Sequence, residues 1–374
     1  MAGRALLLGL VALVGASPAS TQTLSLAGPV SELAADGGRV AILVRTKTGN
    51  CARDRVAVWA PATRSFVPIG ASACVGSTST GAGLFSVGLA GTRVAYVQFA
   101  GGNTRELQLR LATLASPRAA TVASASFGVD VGQGTYIGRV AGDGSLLAFD
   151  WWSECGPCAQ ATPVAPRASI FRLVSSGGAA CPNAGLGALP RCRPVTSVPG
   201  LLRLLAVGGG LVVTGAGDEV AVRALDGAPV YTGTFAGLRA ARIDARVLLV
   251  LTRAGTQSSL WTVDLSLGLR SGPWILPSSK SAADDVCAEP SGCRPAALRL
   301  ADYQAGIAVY VVGHGVHLLR LSDKRDVTIA APGLGPVHVQ LEQSGLFYSY
   351  RPAPSPTRGR VAFMPMAAVL ARFR

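Results

Sequence analysis

The chain has 374 residues, 49% hydrophobic and only 14% charged, with 46 Gly and 23 Pro. Apolar residues spread this evenly exclude an intrinsically disordered chain, and turn formers at this density exclude a coiled coil. The formal charge of +14 comes almost entirely from singly scattered Arg, with Lys only at 47, 280 and 324; no basic run of the kind found in a nucleic-acid-binding arm occurs, so no nucleic-acid partner is expected.

The first segment reads as an export signal. Met1–Arg4 is a short basic start, and Ala5–Gly15 is apolar but too short for a bilayer span of about 20 residues. Ser17-Pro18-Ala19 puts small residues at −3 and −1 of a cut after Ala19. The expectation is a cleaved signal peptide, residues 1–19, and a single mature domain, residues 20–374, with no transmembrane segment. The location that follows is secreted, periplasmic or cell-envelope. Eight cysteines, Cys51, Cys74, Cys155, Cys158, Cys181, Cys192, Cys287 and Cys293, should then be paired as disulfides.

From residue 31 one pattern recurs: an apolar run, a polar or glycine turn, a second apolar run, a loop, and an alternating run with its own turn. The copies open at LAADGGRVAILVR (33–45), VGLAGTRVAYVQF (87–99), RVAGDGSLLAFDWW (139–152), LLAVGGGLVVTGAG (204–217), RIDARVLLVLTR (242–253), LADYQAGIAVYVV (300–312) and QLEQSGLFYSY (340–350). The turns use Asp, Gly and Ser, which tolerate hairpin backbone, and the runs are rich in Val, Leu and Ile. A spacing of about 50 residues is that of propeller blades. A sheet of this size cannot bury both faces alone, and radial stacking buries each face against a neighbour. The expected fold is therefore all-β: a seven-bladed β-propeller of four-stranded antiparallel blades. They cover roughly 31–70, 84–123, 137–198, 201–235, 237–276, 297–330 and 336–373. Tandem β-sandwiches are the alternative.

LAADGGRVAILV and AGDGSLLAFDWW resemble the turn-plus-strand signature of TolB-like and WD40-like β-propeller repeats, in which Asp-Gly precedes an apolar strand. The resemblance spans most of the mature chain and implies the architecture; no copy combines Gly-His with Trp-Asp as WD40 repeats do, so no partner is implied residue by residue.

Few segments suggest chemistry. Cys155-Gly156-Pro157-Cys158 matches the redox tetrad of thioredoxins, but Pro163 and Pro166 oppose the helix that would activate a thiolate there. A zinc site from Cys155, Cys158, Cys181 and Cys192 lacks a second close pair. His314 and His317 flank a glycine hairpin, with only His338 besides. Asp284-Asp285 reads as a solvated acidic pair in a loop, without the spaced oxygen ligands of a calcium site. Trp151-Trp152 ends a strand, where one ring faces the core and the other can face outward. No cofactor motif is present, and no catalytic, metal or cofactor-binding residue is assigned.

The long connections 46–54, 70–86, 153–167, 277–297 and 351–359 should lie on one face and carry recognition. This favours a monomeric binding or scaffold module whose partner is a protein or an anionic envelope polymer. The alternative is a propeller enzyme (lactonase, lyase or hydrolase), which would need at least three Asp, Glu or His side chains pointing into the central channel. The expected disulfides are Cys51–Cys74, Cys287–Cys293, Cys155–Cys158 and Cys181–Cys192. Residues 21–27, TQTLSLA, alternate and precede the first repeat, so they should form the outer strand of the last blade. Residues 367–373 are Ala-rich and suit a short helix.

Overall fold

The computed structural model describes residues 21–48, 51–75, 81–130, 132–154, 167–183, 191–284, 297–330, 333, 337–353 and 357–374. After β1 (Gln22–Leu26), four-stranded antiparallel meanders follow one another. The first is β2 (Val30–Asp36), β3 (Arg39–Thr48), β4 (Cys51–Ala60) and β5 (Ser65–Val75). Next come β6 (Ala82–Ala90), β7 (Arg93–Ala100), β8 (Thr104–Thr113) and β9 (Ala120–Gly128). They are followed by β10 (Gln133–Asp143), β11 (Leu146–Glu154), β12 (Arg167–Val174) and β13 (Arg191–Pro199). Then β14 (Arg203–Gly208), β15 (Leu211–Ala216), β16 (Glu219–Ala224) and β17 (Pro229–Thr234) form a sheet, as do β18 (Leu238–Asp244), β19 (Val247–Ala254), β20 (Gln257–Asp264) and β21 (Leu269–Ile275). A short β22 (Ala282–Asp284) runs parallel to β23 (Leu298–Gln304), which leads β24 (Ile307–Val312), β25 (Gly315–Arg320) and β26 (Arg325–Ala330). The last sheet has β27 (Val339–Glu342), β28 (Gly345–Tyr350) and β29 (Gly359–Pro365), and the chain ends on α1 (Met366–Ala371).

The first strand of each meander packs against the next: β2 on β6, β6 on β10, β10 on β14, β14 on β18, β18 on β23, β23 on β27, and β27 back on β2. The ring is thus closed. Strand alternation makes it cohere, because successive side chains serve opposite neighbours. In β3, Val40, Ile42 and Val44 pack with Phe347, Val361 and Phe363 of the last sheet. The intervening Ala41 and Leu43 pack with Leu84, Leu89 and Tyr96 of the second meander. Small residues are required where sheets approach: a Cβ at Gly142 would lie 2.2 Å from the Leu89 carbonyl oxygen.

Three local expectations change. The segments 46–54 and 70–86 are largely ladder rather than loop, since β3 runs to Thr48, β4 starts at Cys51 and β5 runs to Val75. β-branched Thr46 and Thr48 favour that extension, and Gly70, at φ +63°, absorbs the register shift opposite Asp54 and Val56. Asp284 closes β22 opposite Leu300 and is not in a loop. The second and third meanders also join into one eight-stranded sheet, because Gln133 and Gly134 pair with Gly128 and Phe127.

Closure is by the N-terminal strand. Gln22 pairs with Phe363 and Leu26 with Gly359, so β1 is the outer strand of the last sheet, as the alternation of residues 21–27 suggests. Residues 366–371 form α1 instead of a strand; it buries Val369, and Phe373 beyond it packs beneath the Arg320 guanidinium, 4.8 Å from the ring centroid. Residues 1–20, including the expected signal peptide, lie outside the described residues. Deleting residues 21–27 should lower the melting temperature and promote association through the bared edge of β29. Calorimetry and light scattering read both effects, and an unchanged, monomeric transition would refute this role.

Candidate functional site in the central channel

The inner strands carry most of the polar chemistry on the ring axis. Register shifts interrupt them between Val30 and Glu32, Phe85 and Val87, Ile137 and Val140, Leu204 and Ala206, Leu238 and Ala240, and Leu300 and Asp302. A bulge frees backbone groups from the ladder, and burial then demands partners. Neighbouring sheets supply them. Glu32 accepts from Val87 N–H at 2.9 Å, Ser86 from Val140 N–H at 2.6 Å, Asp150 from Leu204 N–H at 3.1 Å and Asp302 from Leu341 N–H at 2.8 Å. Arg242, 4% exposed, serves the carbonyls instead. It donates to Leu205 on one side at 3.4 Å and to Leu300 and Ala301 on the other at 3.0 and 2.7 Å.

At the end where the first and second strands turn, acids clasp the following turn. Asp36 accepts from the Gly91 N–H and, at 3.1 Å, from the Gly144 N–H. Asp143 accepts from Gly209 N–H at 2.9 Å, Asp244 from Ala305 N–H at 2.6 Å, and Glu342 from Gly38 N–H at 2.8 Å, which links the last turn to the first. The four acids border a cavity of about 100 Å³ at the mouth of the channel. A second cavity of about 70 Å³, lined mainly by Ala, Val, Leu and Gly with Arg139 and Arg242, lies against it.

Burial dominates the electrostatics here. It pushes the Asp150 and Asp302 carboxyls up to about 6, against backbone N–H donors and, for Asp302, the nearby Arg242 charge. Asp143 is also raised, first by burial and then by Asp36 and Asp244. Glu342 is raised by burial and by Asp36.

The residues singled out in the sequence are not drawn into this channel. Cys181, in the connection between β12 and β13, is joined by a disulfide to Cys192 of β13. That connection lies over the outer edge of β9, where Pro182 accepts from Ser124 N–H at 3.1 Å and Asn183 donates to the Ser124 carbonyl. Cys74 is disulfide-bonded and sits in β5, not in a loop. Cys155, Cys158, Cys287, Cys293, Asp285 and the side chain of Cys51 lie outside the described residues. His317 on β25 stacks on Tyr310 at 4.7 Å and meets Asp326 at 3.3 Å, His314 is exposed and His338 is buried beside β27. Both Trp151 and Trp152 are partly buried, rather than one in and one out; Trp152 stacks on Tyr136 at 4.6 Å. Among the described residues no three His, Cys, Asp or Glu side chains are placed to share a metal ion. The channel residues were not singled out, although stacking the repeats shows their signal. LAAD36, VAGD143, RID244 and QLE342 end on an acid at one repeat position, while the repeats between have Ala90, Gly208 and Gln304 there.

Sheets of this form, closed side by side around an axis lined by their first strands, define the architecture. The fold is a β-propeller. Each meander is a blade, and β1 completes the last one. No family model matches the chain, and no curated protein matches it in sequence. Among solved structures it is similar to the acylaminoacyl peptidase of Pyrococcus horikoshii, at 11% identity and a TM-score of 0.52, covering 89% of this chain and 50% of that one. The chain thus spans about half the length of that peptidase. The β-propeller domain of the Trilobed protease from Pyrococcus furiosus matches at 10% identity and a TM-score of 0.46 over 90% of this chain and 95% of that one. TolB from Acinetobacter baumannii matches at 12% identity and a TM-score of 0.40 over 67% and 55%.

Two measurements test the channel chemistry. Because Asp150 and Asp302 have folded pKa values near 6, above the ordinary carboxylate value, the folded state holds their protons more tightly. Their contribution to stability is full below pH about 4 and is lost as pH rises through about 6, so the melting temperature should fall from pH 4.5 to 7.5. The fall should shrink in Asp302→Asn. Arg242→Leu should cost about 3 kcal/mol or more in denaturant unfolding, since it strands buried carbonyls on both neighbouring blades.

Proposed function

We propose that the protein is an exported, seven-bladed propeller acting as a binding or scaffold module, with a protein or an anionic envelope polymer recognised at the face opposite the acidic turns. One observation carries this reading: the carboxylates and guanidinium described along the channel bond the backbone of neighbouring blades. Those groups hold a rigid ring, and the rigid ring presents the long connections at 153–167, 277–297 and 351–359. The Cys181–Cys192 disulfide accords with an oxidising compartment, and the +14 charge accords with a polyanionic partner.

A channel enzyme is the second reading. Asp36, Asp143, Asp244, Asp302 and Glu342 exceed the three inward acids such an enzyme needs. Each of them, however, accepts a backbone N–H in the ring.

The test replaces 155–166 and 285–296 with short Gly-Ser links. The melting temperature should stay within about 2 °C, because surface connections contribute little to the core. Crosslinks to proteins of an envelope extract should fall at least fivefold. Undiminished crosslinking by the replaced protein would overturn the reading.

A further inference from the structure

The Cys181–Cys192 disulfide sits where two blades meet. Its cysteines are 3% and 1% exposed and pack in one cluster with Val122, Ala123 and Ala125 of β9, in the neighbouring blade. The chain on either side of Cys181 is held to both blades. Ahead of it, Ala179 exchanges two backbone hydrogen bonds with Cys192, at 3.1 and 2.9 Å, and so lies along the outer edge of β13. Arg193 Nε donates to the Gly177 carbonyl at 2.6 Å, and the missing side chain of Gly178 permits the approach, since a Cβ there would lie 2.7 Å from the Cys192 carbonyl oxygen. Just after Cys181 the contacts cross to β9. The Pro182 carbonyl accepts from Ser124 N–H at 3.1 Å, and Asn183 Nδ2 donates to the Ser124 carbonyl at 3.1 Å. Residues 177–183 are therefore a strap between the outer edges of β13 and β9.

The joint under this strap is thinly paired. The second and third blades merge into one sheet through two residue pairs only, Gln133 with Gly128 and Gly134 with Phe127. One step along β9, the Thr135 hydroxyl takes the Ser126 N–H at 3.1 Å. One step further is Ser124, whose N–H and C=O meet the strap. The strap itself has little buried surface: Gly177, Ala179, Ala180 and Asn183 are exposed, and Cys181 is its buried anchor. A segment with so few buried contacts opens locally at low cost unless a covalent bond holds it down.

We infer that the strap is a redox-gated clasp on the joint between the second and third blades. With the disulfide formed, it closes the outer rim. With two thiols in its place, the strap leaves β9 and bares the strand edge at Ser124. The reductant is a dithiol. One of its thiolates attacks one cysteine sulfur, forms a mixed disulfide and expels the other cysteine as a thiolate, which takes up a proton. The second thiolate of the dithiol then displaces the remaining cysteine in the same way. Two electrons and two protons pass to the protein, and the dithiol leaves as a disulfide. Because both cysteines are buried, the strap lifts before attack, and its hold on β9 sets the rate. The clasp belongs to the rim and does not rest on the reading of the loop face.

Two measurements on the full-length chain test it. In Cys181→Ser/Cys192→Ser, hydrogen exchange read by mass spectrometry should quicken about tenfold or more over 120–126 and 177–183. β15 and β19, in the fourth and fifth blades, should keep their protection. Unchanged exchange over 120–126, or an equal loss in β15 and β19, would overturn the clasp. The second variant leaves the disulfide in place. Asn183→Gly accommodates the φ of +51° at this position and removes the side-chain hold on β9. Dithiothreitol should then reduce Cys181–Cys192 about fivefold faster than in the unaltered protein, as followed by alkylation and peptide mass. An equal rate would overturn the gating, whether or not the double variant folds.

Discussion

Hydrogen bonds from a side chain on one blade to the backbone of the next are the constraint on which this ring depends. Apolar contact alone would stack the sheets but would not fix their register around an axis, because dispersion is nearly indifferent to a small sliding motion. The bulged inner strands remove that indifference. At several bulges an exposed backbone group is matched by a polar side chain on the adjacent blade, such as Glu32 for Val87 or Asp150 for Leu204. Arg242 does the same for carbonyls on both of its neighbours at once. One misplaced blade would leave buried groups unpaired on two sides.

The same bonds explain why charge is tolerated on the axis. A carboxylate taken from water is costly, and the high pKa values of Asp150 and Asp302 record that cost. Several N–H donors converging on one carboxyl offset part of it, as at Asp150, which receives Arg139 N–H and Leu204 N–H. The result is a scaffold whose interior polar groups are committed to geometry. The mouth differs in degree: its acids are clasped on one side and face a cavity on the other.

Much of the architecture was legible in the sequence because the repeat carries local signals. Turn residues and alternating apolar runs mark strands independently of tertiary context, and residues 21–27 could be placed by their alternation. The limits of strands were less legible. β3 and β4 run to within two residues of each other, where a polar stretch with Lys47 and Arg53 reads as loop but the ladder continues. Sheet pairing supplies that extension, and it is not encoded in composition. The channel site was missed for a different reason. An Asp in a hairpin turn has a sufficient local explanation, so Asp36 and Asp143 read as turn formers. That the turns meet on an axis, and that each acid reaches across it to a neighbour, becomes visible only when the repeats are arranged in a ring.

The two ends of the ring then differ for a steric reason. Turns between first and second strands converge on the axis, where Asp36, Asp143, Gly209, Asp244 and Glu342 border one small cavity. Space there admits short turns only, and an insertion in any one would push into the others. The opposite connections join second to third strands, or one blade to the next, and these diverge outward where sequence can lengthen without collision. The lengths follow this rule: two residues separate β10 from β11 at the crowded end, and the connection between β11 and β12 at the other end spans 155–166. Chemistry at the mouth is therefore restricted to what a side chain on a short turn can reach. Recognition that needs area, by contrast, requires connections that lie away from the axis.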